Sequence, residues 1–156
     1  MKLEVKNLVK KFKSFTAVKN INFNINDGQT LGVLGPNGCG KTTTIGMLLG
    51  LIKPSNGEIL INDENFENLN REKILSQFNF ASPYVELPKK LTVKENLEIY
   101  GRLYGVKDLT KRIQEISYDL NLDLFLNKKT GELSSGQKNR VSLAKSLINN
   151  PKILFL

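Results

Sequence analysis

Residues Gly35-Pro36-Asn37-Gly38-Cys39-Gly40-Lys41-Thr42 satisfy the pattern G-x-x-x-x-G-K-[ST] at every fixed position. Few eight-residue stretches restrict a fold so tightly. Its glycines let the backbone curl until successive N–H groups point inward as an anion nest. Such a nest works at a strand-to-helix turn, where the helix N-terminus adds partial positive charge. The flanks agree, since Thr30-Leu31-Gly32-Val33-Leu34 is an apolar run suited to a buried strand and Lys41 to Leu51 reads as a helix. In this setting Lys41 is expected against the β- and γ-phosphates of a nucleotide, with the Thr42 hydroxyl on Mg2+ and Thr43 donating to a phosphate oxygen. Cys39 fills a free position of the motif. As the only cysteine it excludes an internal disulfide and suits a reducing compartment.

Alternation and turn residues organise the chain around this loop. Leu3 to Val9 and Val18 to Ile25 read as strands, the second placing Ile21, Phe23 and Ile25 on one face and Asn20, Asn22 and Asn24 on the other. Asp27-Gly28 is a turn, Glu58 to Ile61 a further strand, and Asn62-Asp63 a further turn. Thr92-Val93-Lys94-Glu95 is a capping box, and the helix after it carries Val93, Leu97, Tyr100 and Tyr104 on one stripe. A second helix, Thr110 to Leu120, presents Ile113, Ile116 and Leu120. A third, Gln137 to Ile148, turns Val141, Ala144 and Ile148 inward, and Pro151 stops it before a fully buried strand beginning at Ile153.

At 156 residues, 40% of them apolar, the chain is long enough to bury one sizeable core. Met47-Leu48-Leu49 and Ile153-Leu154-Phe155-Leu156 fall far short of the ~20 residues that span a bilayer. The formal charge of +8 invites a nucleic-acid role. Its distribution argues for a solvated basic surface instead, because Lys2, Lys6, Lys10, Lys11, Lys13 and Lys19 are scattered over strands and turns without a basic helix or an aromatic platform. No nucleic-acid partner is expected.

A phosphate loop, a helical lobe, then Leu133-Ser134-Ser135-Gly136-Gln137 opening a helix: in this order the chain resembles the nucleotide-binding domain of an ABC transporter from about Lys2 to Leu156. The resemblance implies an α/β fold, a P-loop NTPase core with an N-terminal antiparallel β-subdomain and a helical subdomain. Residues 1–83 would form the β-subdomain and core, 84–132 the helical subdomain, and 133–156 the signature helix and the next core strand. It also implies an ATPase that uses ATP and Mg2+, with Lys41 and Thr42 in the catalytic role and Phe12, rather than its neighbour Phe15, stacking on adenine. The signature residues 133–137 would act in trans on nucleotide held by a second ATPase domain. The partner would be an integral membrane permease, with the chain peripheral on the cytoplasmic face. Lys41-Thr42-Thr43-Thr44 followed by Met47-Leu48-Leu49-Gly50-Leu51 is similar to exporters of the multidrug and polysaccharide type. The rival within the same family is a soluble ATPase acting on ribosomes or DNA.

Two departures from the family pattern stand out. Where a glutamine contacts Mg2+ and the attacking water, this chain has Pro83, which lacks a side-chain oxygen; Ser82 offers a hydroxyl beside it, and Gln77 lies too early in register. That segment is expected to touch the membrane partner with altered metal sensing. The chain also ends at Leu156, just before the positions of the family's Mg2+-binding aspartate and catalytic glutamate. It is therefore expected to be a fragment that binds nucleotide with negligible turnover.

Overall fold

The computed structural model describes residues 1–81 and 87–156, which divide into two compact units, 1–75 and 76–156. The first unit is built on a hairpin. Strand β1 (Leu3–Phe12) pairs antiparallel with β2 (Phe15–Ile25), and Phe12 sits directly opposite Phe15. Both strands run closer to their turn than alternation alone suggested, because local kinks absorb the mismatch. Asn7 (φ 49°) and Asn20 (φ 51°) take the left-handed conformation that asparagine tolerates. The Asn7 N–H then donates to Asn22 Oδ1 at 2.7 Å. The expected alternation in β2 holds, with Ile21, Phe23 and Ile25 half-buried and the three asparagines exposed.

Strand β3 (Asn56–Ile61) lies antiparallel on the other side of β1 and returns as the short β4 (Glu64–Asn65), giving the sheet order β2-β1-β3-β4. The connecting pair Asn62-Asp63 has φ of 50° and 67°, the two left-handed residues of a type I′ hairpin. Leu3, Val5, Leu8, Ile59 and Ile61 are buried with Met47 and Leu48 of helix α1 (Lys41–Leu48). This helix is shorter than the expected 41–51 for a definable reason. Gly50 takes φ 65°, its N–H bonds to the Met47 carbonyl at 3.0 Å, and the Leu51 N–H closes onto the Gly46 carbonyl at 2.8 Å. Those two bonds are the Schellman stop signal. A short helix α2 (Arg71–Leu75) follows, and the Arg71 guanidinium donates to the Gly50 carbonyl.

The apolar run Thr30–Leu34 is not the buried strand expected from sequence. Among the described residues it joins no ladder, and Leu34 is 94% exposed. Apolar side chains favour a strand only where neighbouring strands supply hydrogen bonds and a surface to pack on, and among the described residues the run pairs with neither edge strand of this sheet, β2 nor β4.

In the second unit, β5 (Phe78–Phe80) pairs in parallel with β6 (Ile153–Phe155), and the rings of Phe78 and Phe155 meet edge to face at 6.0 Å. β6 is half-buried rather than fully buried, since parallel strands vanish into a core only when both faces are covered. Helices α3 (Val93–Leu103), α4 (Leu109–Asp119) and α5 (Ser135–Leu147) contribute Val93, Leu97, Ile113, Ile116, Val141 and Ala144 to one core, completed by Leu122, Phe125, Leu133 and Ile148. The expected apolar stripes are present, although Tyr104 leaves the stripe and is partly exposed at the end of α3. Its hydroxyl donates to Asn79 Oδ1 at 3.3 Å, and burial pushes its pKa up. Buried Asn79 in turn donates to Asn149 Oδ1 at 2.8 Å, and Asn149 donates to the Ser76 and Phe78 carbonyls. This amide chain fastens α3 and the α5–β6 connection to β5. Ser82 and Pro83, where altered metal sensing is expected, lie outside the described residues.

The expected capping box closes at both ends: Thr92 Oγ1 accepts from the Glu95 N–H at 3.1 Å, and Glu95 Oε2 accepts from the Thr92 N–H at 2.7 Å. The Thr92 backbone and hydroxyl hold the Glu95 carboxyl below its usual range. Leu97→Ala, which empties a fully buried site, should cost about 2–5 kcal/mol, against about 1 kcal/mol for Thr92→Ala; urea unfolding would rank them. Because the folded-state pKa of Glu95 is depressed, its contribution is present above the ordinary carboxylate pKa and lost as pH falls through the lowered value. The stability gap between wild type and Glu95→Gln should therefore close in acid.

Candidate functional site

The loop between β2 and α1 reaches its helix through a residue that has to be glycine. Gly40 is the N-cap of α1 with φ 97°, and a methyl group added there would run into the Ala17 carbonyl oxygen of β2 and lie 3.1 Å from Val18 Cγ2. The backbone can press against β2 only without a Cβ. From this point the Thr44 N–H is the first to close a helical bond, onto the Gly40 carbonyl at 2.8 Å, with the Thr44 hydroxyl on the same oxygen at 3.0 Å. The N–H groups of Lys41, Thr42 and Thr43 belong to the first turn and have no partner further back in the helix. No acidic residue sits in that turn, so the positive end of the helix is not compensated internally.

The Lys41 ammonium curls back over the loop. It donates to the Gly35 carbonyl at 2.6 Å and the Pro36 carbonyl at 2.8 Å, and lies 3.9 Å from the exposed Cys39 Sγ. Its donors thus converge on the loop's own carbonyls. An open hollow of about 340 Å³ lies in front of the helix terminus. Asn37, Gly38, Gly40, Lys41, Thr42 and Thr43 line one part of it, and Phe12, Phe15 and Ala17 another. No carboxylate is among these residues. A larger hollow, about 560 Å³, opens beside Met47, Ile59, Phe66 and Arg71, but none of the loop residues lines it.

Phe12 and Phe15 both reach the smaller hollow, 46% and 61% exposed respectively, because they are cross-strand partners on the β1–β2 hairpin. The preference for Phe12 over Phe15 that the family resemblance implies therefore falls on one of an adjacent pair. Their shared register was not visible before the strands were seen to continue to the turn.

The pentapeptide 133–137 divides its labour. Leu133 is buried in the core of the second unit and anchors the segment. Ser134 is the N-cap of α5: its Oγ accepts from the Gln137 N–H at 3.3 Å, while Gln137 Oε1 accepts from the Ser134 N–H at 2.9 Å. This second capping box was legible as S-x-x-Q and explains Gln137 by local chemistry. Ser135 and Gly136 are exposed, with open space where a Gly136 side chain would stand. Like α1, and unlike α3, helix α5 has no acid in its first turn.

Gly40→Ala should destabilise the chain by about 1–3 kcal/mol, through left-handed strain and collision with Ala17. A chemical-denaturation midpoint equal to wild type would show that the loop can leave β2 freely.

The ABC transporter family profile matches residues 18–156. The spermidine/putrescine import ATP-binding protein PotA of Pseudomonas aeruginosa (strain UCBPP-PA14) is 35% identical over 99% of this chain and 42% of its own length. The probable multidrug ABC transporter ATP-binding protein YbhF of Escherichia coli (strain K12) is also 35% identical, over 99% of this chain and 27% of its own. Among solved structures, the dimeric post-hydrolysis state of the ATP-binding cassette MJ0796, bound to ADP and Pi, superposes with a TM-score of 0.80 at 31% identity, covering 97% of this chain and 72% of that one. The chain therefore spans less than half the length of these curated relatives. With one family profile running from Val18 to the last residue, the chain belongs to the ABC transporter family.

Proposed function

We propose that this chain carries the ATP-binding face of an ABC transporter's ATPase subunit, energising transport through an integral membrane permease from the cytoplasmic side. The observation that carries the reading is the hollow at the α1 terminus, where uncompensated amides and the Lys41 ammonium stand beside an exposed aromatic pair. A triphosphate suits the amides Gly38 to Thr43 and the Lys41 charge, and a flat base suits Phe12. Aromatic stacking selects a π-face and does not read its identity.

Magnesium fits as a companion of the substrate. Thr42 is exposed and lines the hollow, so its hydroxyl can serve as one ligand. Mg2+ commonly keeps several waters and takes the rest of its shell from substrate phosphates. Among the described residues no group of three or more His, Cys, Asp or Glu could hold a metal unaided. When bound, the ion would neutralise charge on the phosphates, while Lys41 and the loop amides fix their position.

Ser134, Ser135 and Gly136, exposed at the uncompensated terminus of α5, suit contact with the terminal phosphate held by a second ATPase domain. The MJ0796 cassette, whose solved form is dimeric, supports such pairing. Among the described residues no helix is long and apolar enough to cross a membrane, in keeping with a separate permease. Relatives at the same 35% identity bear import and multidrug names, so export, suggested by the sequence of α1, rests on that likeness alone; we assign direction and substrate to the permease.

Calorimetric titration with Mg·ATP tests the site. Wild type should saturate, and Lys41→Ala should lose about ten- to a hundredfold in affinity, the worth of one or two charge-assisted hydrogen bonds. Unchanged affinity in Lys41→Ala would remove the loop from the binding site.

A further inference from the structure

The ammonium of Lys10, on β1, is held by two contacts. Its Nζ lies 4.9 Å from the centroid of the Phe12 ring and donates to the Lys53 carbonyl at 2.7 Å. The loop bearing that carbonyl is itself stitched to β1: the Ser55 N–H donates to the Val9 carbonyl at 2.8 Å, and the Lys11 N–H donates to Ser55 Oγ at 3.0 Å. The ammonium is therefore held by a backbone acceptor on a segment that cannot drift away from the strand. Phe15, the cross-strand neighbour on the same hollow, has no cation over its ring among the described residues.

We propose that Lys10 is a positioning residue for nucleotide binding, holding one face of the Phe12 ring so that the base stacks on the other. The inference rests on the ATP-binding reading given above and adds to it a residue outside the phosphate loop. The physical argument has two parts. A cation on one face of an aromatic ring is attracted to its π-electrons, which restrains an otherwise half-exposed side chain. The same charge draws electron density toward itself, leaving the opposite face a better partner for an electron-rich purine. Both effects act on the base and neither acts on the phosphates, so Lys10 should distinguish a nucleotide from a bare polyphosphate.

Calorimetry with Mg·ATP and, separately, with magnesium tripolyphosphate tests this on the full chain. Lys10→Met should weaken ATP about two- to fivefold, the worth of an exposed cation–π contact, and leave tripolyphosphate affinity unchanged. Lys10→Arg, which can keep both the charge and the carbonyl bond, should restore ATP binding. In a Phe12→Ala background Lys10→Met should have no further effect. Equal loss for both ligands would reduce Lys10 to a structural or long-range electrostatic role. Full additivity with Phe12→Ala, or no change in ATP affinity, would overturn the proposal directly. Failure of the underlying reading would look different: wild type would bind neither ligand, or Lys41→Ala would bind both as well as wild type.

Discussion

The contact on which the first unit turns is the approach of the Gly40 backbone to the Ala17 carbonyl. A helix cannot start this close to a strand unless the residue between them has no side chain. Once the approach is made, the first-turn residues of α1 line the hollow, and Phe12 and Phe15 at the hairpin end come within the same space. The position of the aromatic pair relative to the loop is thus a property of the β1–β2 register, and the loop's own position follows from one missing methyl group.

The second unit solves its start signals with a repeated device. Thr92 with Glu95 and Ser134 with Gln137 each satisfy two orphan amides reciprocally, one with a charged partner and the other with a neutral one. That difference has consequences for electrostatics. A glutamate in the first turn of α3 offsets the helix dipole, whereas a glutamine in the first turn of α5 caps the helix without cancelling its positive end. The capping residues and the buried Leu133 make the segment rigid, which leaves Ser135 and Gly136 free to face outward.

Much of this was legible in the residues. The capping box at Thr92–Glu95, the alternation in β2 and most of the stripe on α3 are local patterns with local causes, and each reappears in space. The misses are non-local. Thr30–Leu34 has the composition of a buried strand, yet strand formation needs neighbours that a run of five residues cannot specify. β6 likewise carries the apolar residues of a core strand but, among the described residues, reaches only half-burial beside β5. α1 ends before the expected Leu51 because Gly50 takes the left-handed conformation and the hydrogen bonds around it close the helix. Phe12 and Phe15 could not be told apart by spacing, since their register depends on kinks at Asn7 and Asn20 rather than on any motif.

Lys41 brings a last consequence. Two of its three N–H donors are held by loop carbonyls, so an anion that took them over would exchange one set of partners for another. A ligand has to offer more negative potential than those neutral oxygens in order to draw the side chain across. A singly charged anion such as acetate or chloride would offset that exchange less than the several charges of a polyphosphate.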